Sequence, residues 1–241
     1  MTLDKNLNSQ TYIQSNAISD DEKLTKFVEI KNDSISNASS YLINRDYTII
    51  IDISGSMATT DYPEGKTRWM AAQKYTLALA KKCEKLDPDG ITVYMFAESF
   101  QRYDRVTSNA VEQIFQENQP QGGANLLIVL QDAFNNYFQR KANGETKESG
   151  ETILVITDYV SCNRIGVSEA IINATHKMDK NEELGISFIQ VGYQPQVSKF
   201  LKSWDDELQG LGAKFDIVDT VTLDDMEKMT LIQVLINAFA D

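Results

Sequence analysis

In the stretch T-I-I-I-D-I-S-G-S-M at positions 48–57, an apolar run leads into Asp52, Ser54 and Ser56 at every second position. A second aspartate, Asp158, closes V-I-T-D after another apolar run. Carboxylate and hydroxyl oxygens are hard donors, so these four residues together suit Mg²⁺ or Mn²⁺ better than zinc or copper. Two covalent chemistries compete with that reading. An aspartate at a strand end is the nucleophile of phosphoryl-accepting α/β enzymes, and a serine beside a base is the nucleophile of hydrolases. The first needs a second carboxylate two residues on, where this chain has Ser54. The second needs a base, and the one histidine, His176, falls within an expected helix at 167–180. The phosphate-cradling patterns G-x-x-x-x-G-K-[ST] and, after a strand, G-x-G-x-x-G are absent.

The four residues can act together only if the elements that carry them converge. From residue 47 the apolar pattern alternates between strand-like runs and helical spacing. Strands are expected at 47–53, 91–96, 102–106, 152–157, 186–191 and 215–218. Helices are expected at 68–86, from Ser108 to about 117, at 126–139, 167–180 and 197–208, and over 223–239 with Thr222 as cap. Trp69, Ala72, Thr76, Leu79, Cys83 and Leu86 mark the buried stripe of the first helix. Tyr75 and Phe134 also sit at core spacing. Near-continuous apolar strands alternating with helices predict an α/β fold with a doubly wound, mostly parallel sheet covered on both faces. The run at 102–106 follows its neighbour through a tight connection and is expected as a short antiparallel edge strand. In such sheets ligands bind beyond the carboxyl ends of the strands, where strand order reverses. If the strands ending in Asp52 and Asp158 are neighbours there, the loops at 54–61, 121–125 and 158–164 line one crevice.

Residues 1–46 are rich in Asn, Ser and Asp, which predicts a flexible arm with one short helix at 20–31 behind S-D-D-E. Residues 47–241 form the folded domain. With 35 acidic against 23 basic residues the net charge is −12, which disfavours nucleic acid and anionic membranes as partners. No apolar run approaches the roughly 20 residues of a membrane span. The N-terminus lacks the basic-then-apolar order of a secretory signal. Cys83 and Cys162 have no metal-ligand spacing, and a cytoplasmic location is expected.

The residues D-I-S-G-S at 52–56 resemble the D-x-S-x-S metal-ion-dependent adhesion site of von Willebrand factor A domains. The resemblance extends from Tyr47 to the C-terminus and includes the helix from Arg68, the Gly-Gly loop at 122–123 and the strand-end Asp158. It implies a vWA/Rossmann-like fold and a binding module rather than an enzyme. In such domains the serines bind the divalent ion directly, the aspartates act through waters, and an open coordination position takes an acidic side chain of a partner. Asp52, Ser54, Ser56 and Asp158 hold the corresponding positions here. Intracellular bacterial relatives act beside ATPases or within multi-protein complexes, so the resemblance implies a partner of that kind.

Two positions depart from the family pattern. Where the family has a threonine ligand in G-T-x-L, this chain reads G-G-A-N-L and has Ala124. Asn125, one residue later, offers an amide oxygen as a ligand or as a cap for the next helix. Losing one charge-assisted oxygen contact costs about 1.5–3 kcal/mol, or roughly ten- to hundredfold in affinity. Metal binding is therefore expected to be weakened. Tyr159 stands where relatives place glycine, and would shape the rim of the site or simply pack its loop. Asp61, in the loop at 57–67, is either a charge behind the metal ligands or a solvated acid. The alternative reading is a degenerate scaffold that binds its partner without metal.

Overall fold

The computed structural model describes residues 41–158 and 163–239. The expected helix at 20–31, Tyr159 and Cys162 lie outside the described residues, as does all of the expected arm before residue 41.

Leu42 and Arg45 are buried, so the chain enters the core just before its first strand. Among the described residues six strands form one sheet: β1 (Asp46–Asp52), β2 (Ile91–Phe96), β3 (Phe100–Val106), β4 (Glu151–Thr157), β5 (Leu184–Gln190) and β6 (Val218–Thr222). Their order is β3-β2-β1-β4-β5-β6. All pairs are parallel except β2–β3, which is antiparallel and makes the edge. The helices are α1 (Arg68–Leu86), α2 (Ser108–Glu117), α3 (Leu126–Asn143), α4 (Arg164–Thr175), α5 (Pro195–Glu207), α6 (Leu223–Met226) and α7 (Leu231–Asn237).

Side chains alternate across a strand, and β1 uses both faces. Ile50 joins Tyr94, Phe96, Leu130, Val155 and Phe188 in the apolar layer beneath α3, α4 and α5. Ile49 and Ile51, also fully buried, project to the other face, where α1 lies against β1 and β2. The stripe expected for α1 is observed: Trp69, Ala72, Thr76, Leu79 and Cys83 are all buried. Trp69 packs on Phe115 of α2, with ring centroids 4.5 Å apart. Tyr75 leaves the stripe. It is half-buried, and its hydroxyl donates to Glu227 at 2.6 Å.

Several boundaries differ from those expected, each for a local reason. Thr107, not Ser108, is the cap residue of α2. Helix α3 runs one turn further because Arg140 bonds Asp46 and Glu151, and Lys141 bonds Glu183, which anchors its last turn. Helix α4 starts at Arg164, where the Asn163 side chain accepts from the Gly166 amide at 3.0 Å, and ends at Thr175. The last strand is Val218–Thr222 rather than 215–218, with Asp219, Thr220 and Thr222 inside it. Phe215 instead packs against the core from outside the sheet. The expected terminal helix is two helices. Thr222 does cap the first, through a reciprocal box with Asp225, and Thr230 caps the second by accepting from the Gln233 amide at 3.2 Å.

A cavity of about 610 Å³ opens at the amino ends of β1 and β2, lined by Asp46, Asp87, Asp89, Arg140 and Lys147 among others. Its charges answer one another: Lys147 bonds Asp87 at 2.9 Å and Asp89 at 2.8 Å. The Asp52 cluster lies at the opposite end of the sheet.

Candidate functional site

Strand order reverses between β1 and β4, so the two acid-tipped strands are neighbours, the condition on which their convergence depends. This brings Asp52 and Asp158 to one crevice at the carboxyl end of the sheet. Asp52 is fully buried. One of its oxygens accepts from the Ser54 amide at 2.8 Å, the other from the Thr157 hydroxyl at 2.6 Å. Burial pushes its carboxyl up to about 6, against the pull of the bonds from Ser54 and Thr157. The Ser54 and Ser56 hydroxyls are 3.1 Å apart, and Ser56 donates to Asp158 Oδ1 at 2.7 Å. Ser54 and Asp158 are buried while Ser56 is exposed, so the cluster opens to solvent on the Ser56 side.

The neighbouring loop is fixed against these residues. Gly55 N–H donates to the Gly122 carbonyl at 3.0 Å, and Gln121 N–H to the Ile53 carbonyl at 2.8 Å. Gly122 has φ +71°, a left-handed conformation that explains glycine at this turn. Ala124 is half-buried and packs against the apolar layer. Asn125 occupies the cap position of α3, but its side chain makes no capping bond. Its amide is anchored to the Ala97 carbonyl at 2.7 Å.

Sequence reasoning missed Arg68. It is the first residue of α1, and a charged residue at a helix start reads as solvated surface. Instead its side chain is 5% exposed and bonds the two acids the sequence had singled out. Nη1 donates to Asp158 Oδ2 at 2.7 Å; Nη2 and Nε donate to Asp61 Oδ2 at 2.6 and 3.0 Å. Hydrogen bonds to Asp61, then to Asp158, hold the guanidinium above its ordinary pKa. Gln194 completes the enclosure. With its amide oriented as its neighbours require, its oxygen accepts from both Nη atoms at 2.9 and 3.0 Å, and its nitrogen donates to the Asp158 carbonyl at 3.0 Å. Gly192, at φ +85°, leaves room for the guanidinium, since a Cβ there would lie 2.9 Å from Arg68 Nε. Asp61 keeps an exposed face on its loop and is tied to the hydroxyl cluster through Arg68.

The donor set suits a hard divalent cation: two hydroxyls and one carboxylate oxygen joined in series by hydrogen bonds through Ser56, with a second carboxylate behind them. The Ala124 methyl supplies no oxygen, and Arg68 already holds one oxygen of Asp158. The residues therefore fit Mg²⁺ or Mn²⁺ with fewer donors and less net negative charge than the four sequence positions alone imply. No cluster of three or more His, Cys, Asp or Glu side chains arranged for a metal occurs among the described residues.

His176 caps the end of α4, with its ring nitrogen 2.9 Å from the Gly212 carbonyl. Helix α4 begins near the carboxyl end of β4 and runs 12 residues, so His176 lies about 18 Å along its axis from that start. No helix among the described residues is long and apolar enough to cross a membrane.

Comparison with known proteins agrees with this fold. The family model described as von Willebrand factor type A domain matches residues 47–160. No curated protein matches the chain significantly in sequence. Among solved structures, the fold is similar to the PilB minor pilin from Streptococcus sanguinis, at 11% identity and TM-score 0.53, covering 80% of this chain and 62% of that one. It is similar to proximal thread matrix protein 1 from the mussel byssus, at 15% identity and TM-score 0.51, covering 80% and 47%. The pilus adhesin SpaC from Lactobacillus rhamnosus GG is comparable, at 12% identity and TM-score 0.51, covering 82% and 31%. The chain thus spans less than two thirds of the length of each of these proteins. Its six-stranded α/β fold is of the vWA and Rossmann-like kind, and residues 47–160 carry the match to the von Willebrand factor type A domain.

Proposed function

We propose that this chain is a vWA-type protein-recognition domain whose site holds Mg²⁺ or Mn²⁺ weakly and receives an Asp or Glu of a partner protein. The observation that carries this reading is the convergence of Ser54, Ser56 and Asp158 over buried Asp52 at the switch point of the sheet. Ser54, Ser56 and Asp158 would hold the cation, and Asp52 would supply charge from behind. When bound, the cation offers an open position to an anionic side chain. Exposed Ser56 lies where a partner would arrive. Tyr193, in the turn that encloses Arg68, and Met70, two residues after Arg68, are half exposed, and Tyr193 packs on Tyr62 at 5.2 Å between ring centroids. Aromatic and Met side chains of this kind are enriched at protein interfaces. The similar folds carry the names of a pilin, an adhesin and a thread matrix protein, which accords with binding.

A second reading, partner binding without metal, has its own support. Ser56 and Arg68 together satisfy both oxygens of Asp158, so the site is internally paired without an ion. Phosphoryl transfer and hydrolysis gain no such support, given Ser54 two residues after Asp52 and the position of His176.

The test is capture of partners from native extract by wild-type protein in Mg²⁺, by wild-type protein in EDTA, and by Asp52→Ala in Mg²⁺. The metal-dependent reading expects a partner retained only in the first. Equal retention in all three would contradict it and favour the metal-free alternative.

A further inference from the structure

The guanidinium of Arg68 bonds the cluster directly, through Asp158. It is buried, enclosed by the loop at 59–67, the end of β4 and the turn at 192–194, and bonded to both Asp61 and Asp158. Asp158 is divided between two claimants: Oδ1 faces the Ser56 hydroxyl and Oδ2 faces Arg68. Any cation seated against Oδ1 therefore shares its carboxylate with a positive charge already in place. A charge so close alters the potential at the second oxygen strongly, because burial limits screening by water. The two Arg68 partners also differ in kind. Asp158 belongs to the cluster, whereas Asp61 is half-exposed on the loop and accepts from both Nε and Nη2.

We propose that Arg68 is an internal counter-cation that sets the affinity of the site: it competes with a divalent ion for Asp158, and Asp61 relieves that competition by drawing the guanidinium toward the loop. This rests on the reading of Ser54, Ser56 and Asp158 as metal ligands and deepens it. Asp52 and Asp158 bring the negative charge of the cluster, and Arg68 offsets part of it, the less so the more firmly Asp61 holds the guanidinium. The device also couples the site to the loop at 59–67. A contact that moves Asp61 changes how much of Asp158 is free. A lysine could not do the same, because its compact ammonium lacks the planar fork that spans two carboxylates.

The experiment is Mn²⁺ titration followed by the electron paramagnetic resonance signal of the free aqua ion, on wild type, Arg68→Gln, Asp61→Asn and the double variant, with thermal unfolding as the check of fold. Arg68→Gln is expected to bind Mn²⁺ about tenfold more tightly, the size of a one-unit charge effect. Asp61→Asn is expected to bind several-fold more weakly in the wild-type background and to have little effect once Arg68 is gone, which a double-mutant cycle isolates. A folded Arg68→Gln that binds as wild type does, or more weakly, overturns the proposal while leaving the metal reading intact. If Arg68→Gln does not fold, an unchanged affinity in Asp61→Asn overturns it equally. Binding by Arg68→Gln but not by wild type upholds the proposal and overturns metal use by the native site. Absence of Mn²⁺ binding in every variant overturns both.

Discussion

The Ser56 hydroxyl donates to Asp158 Oδ1 at 2.7 Å across 102 positions of sequence. That one bond joins the loop after β1 to the tip of β4, so it reports directly on the switch point between them. It also joins the exposed hydroxyl of the cluster to a carboxylate that Arg68 holds from the other side. Taking up a cation between these residues means exchanging a formed hydrogen bond, and sharing a formed ion pair, for coordination. The net gain is smaller than for an open set of oxygens. Weak affinity thus has two separate sources in this chain, the missing hydroxyl at Ala124 and the guanidinium at Asp158.

Asp52 carries a pH dependence whose sign is fixed. In the metal-free protein burial raises its carboxyl from 3.8 to about 6. The native state then binds the proton more tightly than the unfolded chain does, so stability is lost as pH rises through that interval and stays lower above it. The cost at neutral pH is on the order of 2–3 kcal/mol. Asp52→Asn is expected to be more stable than wild type at pH 8 in EDTA, with the difference vanishing near pH 4. Urea denaturation at both pH values checks this. An Asn variant less stable at pH 8, or a difference independent of pH, would contradict the burial account.

Ala124→Thr restores a hydroxyl in the loop that Gly55 and Gln121 fasten against the site. Its γ-methyl can keep the apolar contact that Ala124 makes. Mn²⁺ affinity is expected to rise about tenfold, the value of one charge-assisted contact. Calorimetry on the two forms measures it. Equal or weaker binding would mean that this side chain is turned away from the cation.

Gly192→Ala tests the Arg68 enclosure from the other side. The added carbon meets Nε at 2.9 Å, on a backbone with φ +85°. Substituting Ala where φ is positive destabilises by more than about 1 kcal/mol, before any displacement of the guanidinium. A lowered urea midpoint is expected. An unchanged midpoint would show that the enclosure tolerates expansion.

What the sequence revealed and what it hid follow from how far apart the cooperating residues lie. Asp52, Ser54 and Ser56 are legible because a short segment contains both the strand and its ligand spacing. Asp158 is legible because alternation of strands and helices implies a switch point where two acid-tipped strands meet. Arg68 was hidden, since its partners Asp61, Asp158 and Gln194 come from three separate segments and only the fold assembles them. Asp61 was visible as an acid, but its role depends on that same assembly. Strand β6 was misplaced because its polar residues mask it. Asp219 lies within hydrogen-bond reach of Ser187 at 3.4 Å, and the Thr220 hydroxyl bonds Asp205 at 2.6 Å. The final helix reads as continuous in the sequence because the break depends on a second cap at Thr230, a weak signal inside an otherwise helical pattern.

The central claim is that Ser54, Ser56 and Asp158 hold a divalent cation, and crystals soaked in millimolar Mn²⁺ test it most directly. An anomalous peak is expected among the Ser54 and Ser56 hydroxyls and Asp158 Oδ1, at coordination distances slightly beyond the 2.0–2.1 Å typical of Mg²⁺. The Ser56–Asp158 hydrogen bond should be opened at the same time. A site without a peak, with Ser56 and Arg68 still bonded to Asp158, would contradict the claim and leave a domain that binds its partner without metal.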